Sequence, residues 1–184
     1  MKIKSLSPIL SVLSASFPFA SNFLQLRSEV SGYKIEKRLQ ALEDPISALH
    51  NTVPDLSKLL YQAIKSDSAN SRWLDKSDLN LDCYRKAILL LHSHGYLEDK
   101  GYVIEFNAPS YVLYMATLSE KDNIIIELNG YMDSCESGCS IYASDLANSL
   151  NLPLALVLSV FEIYESKGYG YYDRTIDYEA YLGK

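Results

Sequence analysis

Cys135-Glu-Ser-Gly-Cys139 and His92-Ser-His94 are the two places where residue type and spacing could support chemistry. Two thiols separated by three residues could close a reversible disulfide or supply half of a metal site. A closed zinc site needs four soft ligands, and the only further candidates, His50, His92 and His94, lie in the other half of the chain. A disulfide across that loop would need an oxidant. With Cys83 the cysteines are odd in number and lack framework spacing, which predicts a reducing cytoplasm. The histidine pair falls where a helix should end, and there imidazoles satisfy carbonyls and meet the negative end of the helix dipole. No phosphate-cradling glycine loop, nucleophile elbow, zinc-protease helix or dinucleotide fingerprint occurs. The residues therefore predict no catalytic, cofactor or metal site and no enzyme.

The charges say more about partners. The chain has 184 residues, 48% hydrophobic and 22% charged, enough to bury a core as one domain or two small ones. Its net charge is −6, so a polyanion would have to find a local basic patch. Residues 1–53 hold six Lys/Arg against four Asp/Glu, residues 54–117 seven against eight, and residues 118–184 four against eleven. A nucleic-acid surface would have to be assembled from Lys58, Lys65, Arg72, Lys76, Arg85 and Lys86. Eight of the 15 tyrosines fall from Tyr131 onwards, a composition that suits strands and interfaces.

Three regions must position these groups. Lys2 and Lys4 before a proline-broken apolar run read as a segment packed on the protein or a partner, with a signal or membrane role the alternative. Phe23, Leu26, Val30 and Tyr33 predict a helix over 21–44 that Pro45 ends. Lys34, Lys37 and Arg38 lie near its polar side, so residues 1–38 could alternatively lie on a membrane surface. This N-terminal arm spans 1–45.

The rest reads as one pattern used twice, over 46–117 and 118–184. In the first copy "VPDLSKLLYQAIKS" is a helix with Leu56, Leu59, Leu60 and Ile64 on one face. "NSRWLDKSDLNL" is predicted to supply a short helix and turn, with Trp73 in the core. A third helix ends at Gly95, and strands over 96–98 and 102–106 turn through Asp99-Lys100-Gly101. In the second copy Ser119 is predicted to cap a helix, followed by a short strand, a helix, the helix "NLPLALVLSVFEIYESKG", and a hairpin. Leu-Asn-Leu at 79–81 and 150–152, and Gly-Tyr at 95–96 and 168–169, mark the repeat.

This order of three helices and a hairpin, over about residues 52–181, resembles the winged helix-turn-helix superfamily. It implies a mostly helical α+β fold with small β-wings. In that superfamily the third helix offers one face to DNA. In the second copy that face carries Ala155, Ser159, Glu162 and Ser166, with no cation and none of the side chains best suited to base readout. In the first copy it shows Asp82, Lys86, Leu90 and Ser93, with Arg85 and His92 at the edge. Leu156 and Ile163 on one flank of the second helix, and Leu158 on the other, exceed what a small core needs. Either a partner or dimer mate covers them, or another part of the same chain does.

An acidic tandem chain of this size also resembles the kleisin-interacting tandem winged-helix accessory subunits of bacterial SMC-like and plasmid- or phage-defence complexes. The resemblance implies a non-enzymatic cytoplasmic adaptor whose docking surfaces are Leu156, Ile163, Leu158, Leu90 and the wing residues Tyr171 and Tyr172. Leu156→Asp or Ile163→Asp should then break an interface and leave the fold intact. A DNA-binding regulator using Lys58, Arg72, Lys76, Arg85 and Lys86, and a membrane-associated protein using the arm, are the alternatives.

Overall fold

The computed structural model describes residues 44–66, 72–77, 79–120, 124–136, 138–174 and 180–183. The predicted arm up to residue 43, with its helix and its membrane-surface alternative, lies outside the described residues. The described chain is mixed α+β, with two small antiparallel sheets.

A 3-10 turn at Ser47–Leu49 leads into α1, Val53–Ser66. Pro54 sits in the first turn, where its missing N–H costs nothing, and Asp55 there faces the positive end of the dipole. Leu56, Leu60 and Ile64 fall on one stripe and are buried, as their spacing predicts, while Leu59 is half-buried. Next come β1 (Trp73–Asp75), a 3-10 turn at Asp82–Tyr84, α2 (Arg85–Ser93), β2 (Leu97–Asp99) and β3 (Val103–Phe106). The first sheet has the order β1-β3-β2.

The second half repeats this order with α4 (Ile124–Ser134), β4 (Ser140–Tyr142), α5 (Ala143–Leu150), α6 (Leu154–Ser166), β5 (Tyr171–Asp173) and β6 (Tyr181–Gly183). Its sheet has the matching order β4-β6-β5. In each half the middle strand of the sheet is the last in sequence. The helix before each hairpin also ends the same way. Gly95 and Gly168 take φ of +73° and +74°, and the tyrosine after each returns its N–H to a helix carbonyl five residues back, Leu91 and Tyr164, both at 3.0 Å. That left-handed stop is cheap for glycine and fixes the angle at which the hairpin leaves.

Between the halves lies α3, Pro109–Ser119, to which the sequence reading assigned no element. Tyr111, Val112, Leu113, Tyr114, Met115 and Ala116 are all buried in succession. A helix buried on every side has no polar face, so the 3.6-residue alternation that reveals other helices is missing. It packs against both α1 and α6. Its polar tips find partners: the Tyr111 hydroxyl meets Ser57 Oγ at 3.0 Å and the Tyr114 hydroxyl meets Ser47 Oγ at 2.5 Å.

The structure corrects three local expectations. Trp73-Leu74-Asp75 is a strand rather than part of a short helix, because Leu74 pairs with Ile104 and alone of the three faces inward. Trp73 is accordingly 46% exposed and is not core. Ser119 ends α3 instead of capping the next helix, and its hydroxyl is buried with no partner among the described residues.

Candidate functional site

The helix expected to present a docking flank is the most enclosed element of the second half. Nine of the 13 residues of α6 are buried, among them Leu156, Leu158 and Ile163. These three are 0, 0 and 4% exposed, so they form no surface for a partner. The same chain encloses α6, which packs chiefly against α3 and α5. Ala155 and Ser159, expected on the open side, are buried as well, and the Ser159 hydroxyl donates to the Ala155 carbonyl at 2.7 Å. Tyr172 is also internal, its ring edge-on to Phe161 at 5.7 Å between centroids. Of the predicted docking residues Tyr171 remains well exposed, and Leu90 is half-buried.

The corresponding helix of the first half, α2, behaves differently. Ala87, Ile88 and Leu91 of α2 turn inward, with Tyr84 half-buried beside them. At about 100° per residue Leu89, not Leu90, lies opposite Leu91, and Leu89 is 67% exposed. The outward leucine is thus one position before the Leu90 expected from the sequence.

Leu89 stands at the mouth of a groove of about 490 Å³. Its walls are the Leu79–Leu81 segment, Ile88 and the Arg85 stem, with Lys76 and Asp99 at the rim. A second depression of about 340 Å³ runs along Leu59 and Ala63 of α1 to Leu74, and the two share Leu79. Leu79 thus lines both hollows.

The rim charges are already matched. Lys76 Nζ donates to Asp99 Oδ1 at 2.5 Å, and the Gly101 N–H reaches the same oxygen at 3.0 Å. Partial burial acts to raise the Asp99 carboxyl pKa, but the Lys76 and Gly101 hydrogen bonds and the charges of Lys76 and His92 outweigh it and hold it below the ordinary value. Arg85 meets Asp82 at 2.7 Å. Both of those side chains are about 80% exposed, so the pair screens charge and contributes little stability.

The same pairing extends through the predicted cationic set. Arg72 binds Glu162, and Lys65 forms a short contact with Glu120. With Lys76 and Arg85, four of the six cations are held by carboxylates. Lys58 and Lys86 are exposed with no acidic partner among the described residues, which leaves two positions for phosphate contact.

The residues singled out for chemistry take structural roles. His94 Nδ1 lies 2.8 Å from the Leu90 carbonyl at the end of α2, where an imidazole was expected to satisfy a carbonyl. His92 Nδ1 accepts the Asp99 N–H at 3.3 Å and so ties α2 to β2. Cys135 and Cys139 are half-buried at the two ends of the α4–β4 loop, and Cys83 is exposed. Among the described residues no cluster of three or more His, Cys, Asp or Glu is placed to hold a metal ion, and no helix is long and apolar enough to cross a membrane.

No protein-family model matches the chain, and no curated protein or solved structure matches it.

Proposed function

We propose that this chain is a non-enzymatic adaptor built of two winged-helix modules that flank α3, whose Pro109–Ser119 span crosses the boundary expected at 117/118, and that it binds a protein partner through the groove around Leu79 and Leu89. The repeated strand order, β1-β3-β2 and β4-β6-β5, supports the module reading, as does the shared glycine stop before each hairpin. One observation carries the function: a leucine 67% exposed beside an apolar groove whose rim charges are already paired. Such a surface gains from covering apolar area and offers few uncommitted cations to a polyanion.

The contact lies on the first module. The second module supplies the scaffold, since its third helix is enclosed and bears Glu162 and Glu165 at its edge. In the reading drawn from the kleisin-interacting tandem winged-helix subunits, the partner is a component of a larger cytoplasmic ATPase or defence assembly.

The test is recovery of partners by the tagged full chain from its own cells after nuclease treatment, beside Leu89→Asp. A protein recovered in stoichiometric amount with the native chain and lost with the variant supports the adaptor. Recovery of the chain alone, or equal recovery by both, overturns it. Retention of nucleic acid that falls steeply as salt is raised would return the weight to DNA.

A further inference from the structure

The outer face of the first sheet holds an arrangement that neither the groove nor the core uses. Trp73 pairs with Glu105, and Glu105 with Glu98, so the three lie in a row across β1, β3 and β2. Leu74, Ile104 and Leu97 point inward and are buried, which turns this row outward. Trp73 is 46% exposed.

Two glutamates directly opposite each other destabilise a sheet unless a cation lies between them. Lys100 fills that place, 3.5 Å from Glu98 and in short contact with Glu105. The row still carries two carboxylates against one ammonium. An indole is the best aromatic acceptor for a cation, and cross-strand neighbours have Cβ atoms about 5 Å apart. A guanidinium resting on Trp73 would therefore be within reach of Glu105.

We infer that this face docks a basic segment of a partner protein, with an arginine or lysine on Trp73 and its charge balanced by Glu105 and Glu98. Charge complementarity selects this occupant. A second copy would bring the same two carboxylates against themselves, and an acidic segment would be repelled. Lys100, on a flexible stem and 47% exposed, moves aside when the incoming cation replaces it. The site is separate from the Leu89 groove and does not depend on the adaptor reading.

Trp73 is the only tryptophan in the chain, so its emission reports this face directly. The full chain is titrated with a capped octapeptide of alternating arginine and glycine, and with its glutamate counterpart. The expected result is a saturable change in Trp73 emission with the arginine peptide alone, weakened by salt. Glu98→Gln with Glu105→Gln should weaken binding by about three- to tenfold, whereas Ile126→Ala, at an exposed position on α4, should leave it unchanged. Lys100→Gln, which frees both carboxylates, should tighten it and decides the matter if the double variant fails to fold. No emission change, an equal response to the glutamate peptide, or an affinity unmoved by both sets of variants would overturn the proposal.

Discussion

Arg72 donates a hydrogen bond to Glu162 at 3.1 Å, joining residues 90 positions apart in the sequence. Arg72 sits at the entrance to β1 and Glu162 on the outer edge of α6, so the contact ties one half of the molecule to the other. Arg174 approaches the same carboxylate at 3.9 Å, meets Glu165 at 2.6 Å, and lies 4.4 Å over the Tyr172 ring. One acidic edge of α6 is thus held between two guanidinium groups. A double-mutant cycle on Arg72→Ala and Glu162→Ala should give a coupling of about 0.5–1 kcal/mol in urea unfolding, shrinking as salt is raised. Zero coupling at low salt would mean that the two halves are held by α3 alone.

The burial of α6 reverses the expected outcome of substitutions there. Leu156 and Leu158 are fully enclosed, so Leu156→Ala should cost about 2–5 kcal/mol. Leu156→Asp adds an unpaired buried charge and should unfold a domain whose whole stability is about 5–15 kcal/mol. Leu89→Asp should change stability by no more than about 0.5 kcal/mol. Circular dichroism melts check both. A folded Leu156→Asp protein would restore the docking flank to α6.

How far the sequence is legible depends on how many sides of an element are buried. α1 and α2 each bury one stripe, and the spacing of Leu56, Leu60 and Ile64, or of Ala87, Ile88 and Leu91, states it. The glycine stops at Gly95 and Gly168 and the hairpins after them are equally readable, because a left-handed backbone leaves a residue-type signature. α3 buries every side and left only Pro109 at its first turn as a sign. β1 is three residues long, too short for alternation to stand out from Asp75-Lys76-Ser77 beside it. The apolar excess of α6 was legible, but its cover was not. The element that packs most against α6 is the helix whose own pattern is silent. The candidate site has a similar cause: the groove brings Leu79 and Leu81 beside Ile88 and Leu89 of α2, and no local spacing encodes that.

Two glycines should respond in opposite directions to alanine. A Cβ on Gly170 would stand 2.6 Å from the Gly183 carbonyl oxygen and 3.2 Å from the Leu182 side chain. The close approach of β5 and β6 at that point therefore depends on its absence. Gly170→Ala should cost about 1–3 kcal/mol as the strands move apart. Gly130 lies inside α4 and a Cβ there meets nothing within 4 Å. Gly130→Ala should stabilise by up to about 1 kcal/mol, because the unfolded chain loses freedom and the helix gains propensity. Urea midpoints compare the two directly. A neutral Gly170→Ala would show that the second hairpin tolerates a wider spacing than its register implies.

The interior tyrosines set an alkaline limit on the fold. Burial raises the Tyr61 hydroxyl pKa, and the charge and hydrogen bond of Glu120, 3.1 Å away, raise it further. Burial also lifts Tyr111, with the Ser57 hydrogen bond acting the other way. Tyr114 is pushed up to about 12 by burial, against a lowering by Ser47. In the unfolded chain each ionises near the usual value of about 10. Above that pH the unfolded state gives up protons that the native state retains. The contribution of these groups is therefore complete below about pH 10 and is lost as the pH rises through the native values. A spectrophotometric titration followed beside circular dichroism should resolve this edge. The buried set should ionise only together with loss of helical circular dichroism, between about pH 10 and 12 or above. Tyr61→Phe removes the hydroxyl held against Glu120 and should move that unfolding edge upward in pH. A single smooth titration of every tyrosine, with the helices intact, would place these side chains in contact with water and contradict the packing of α1 against α3.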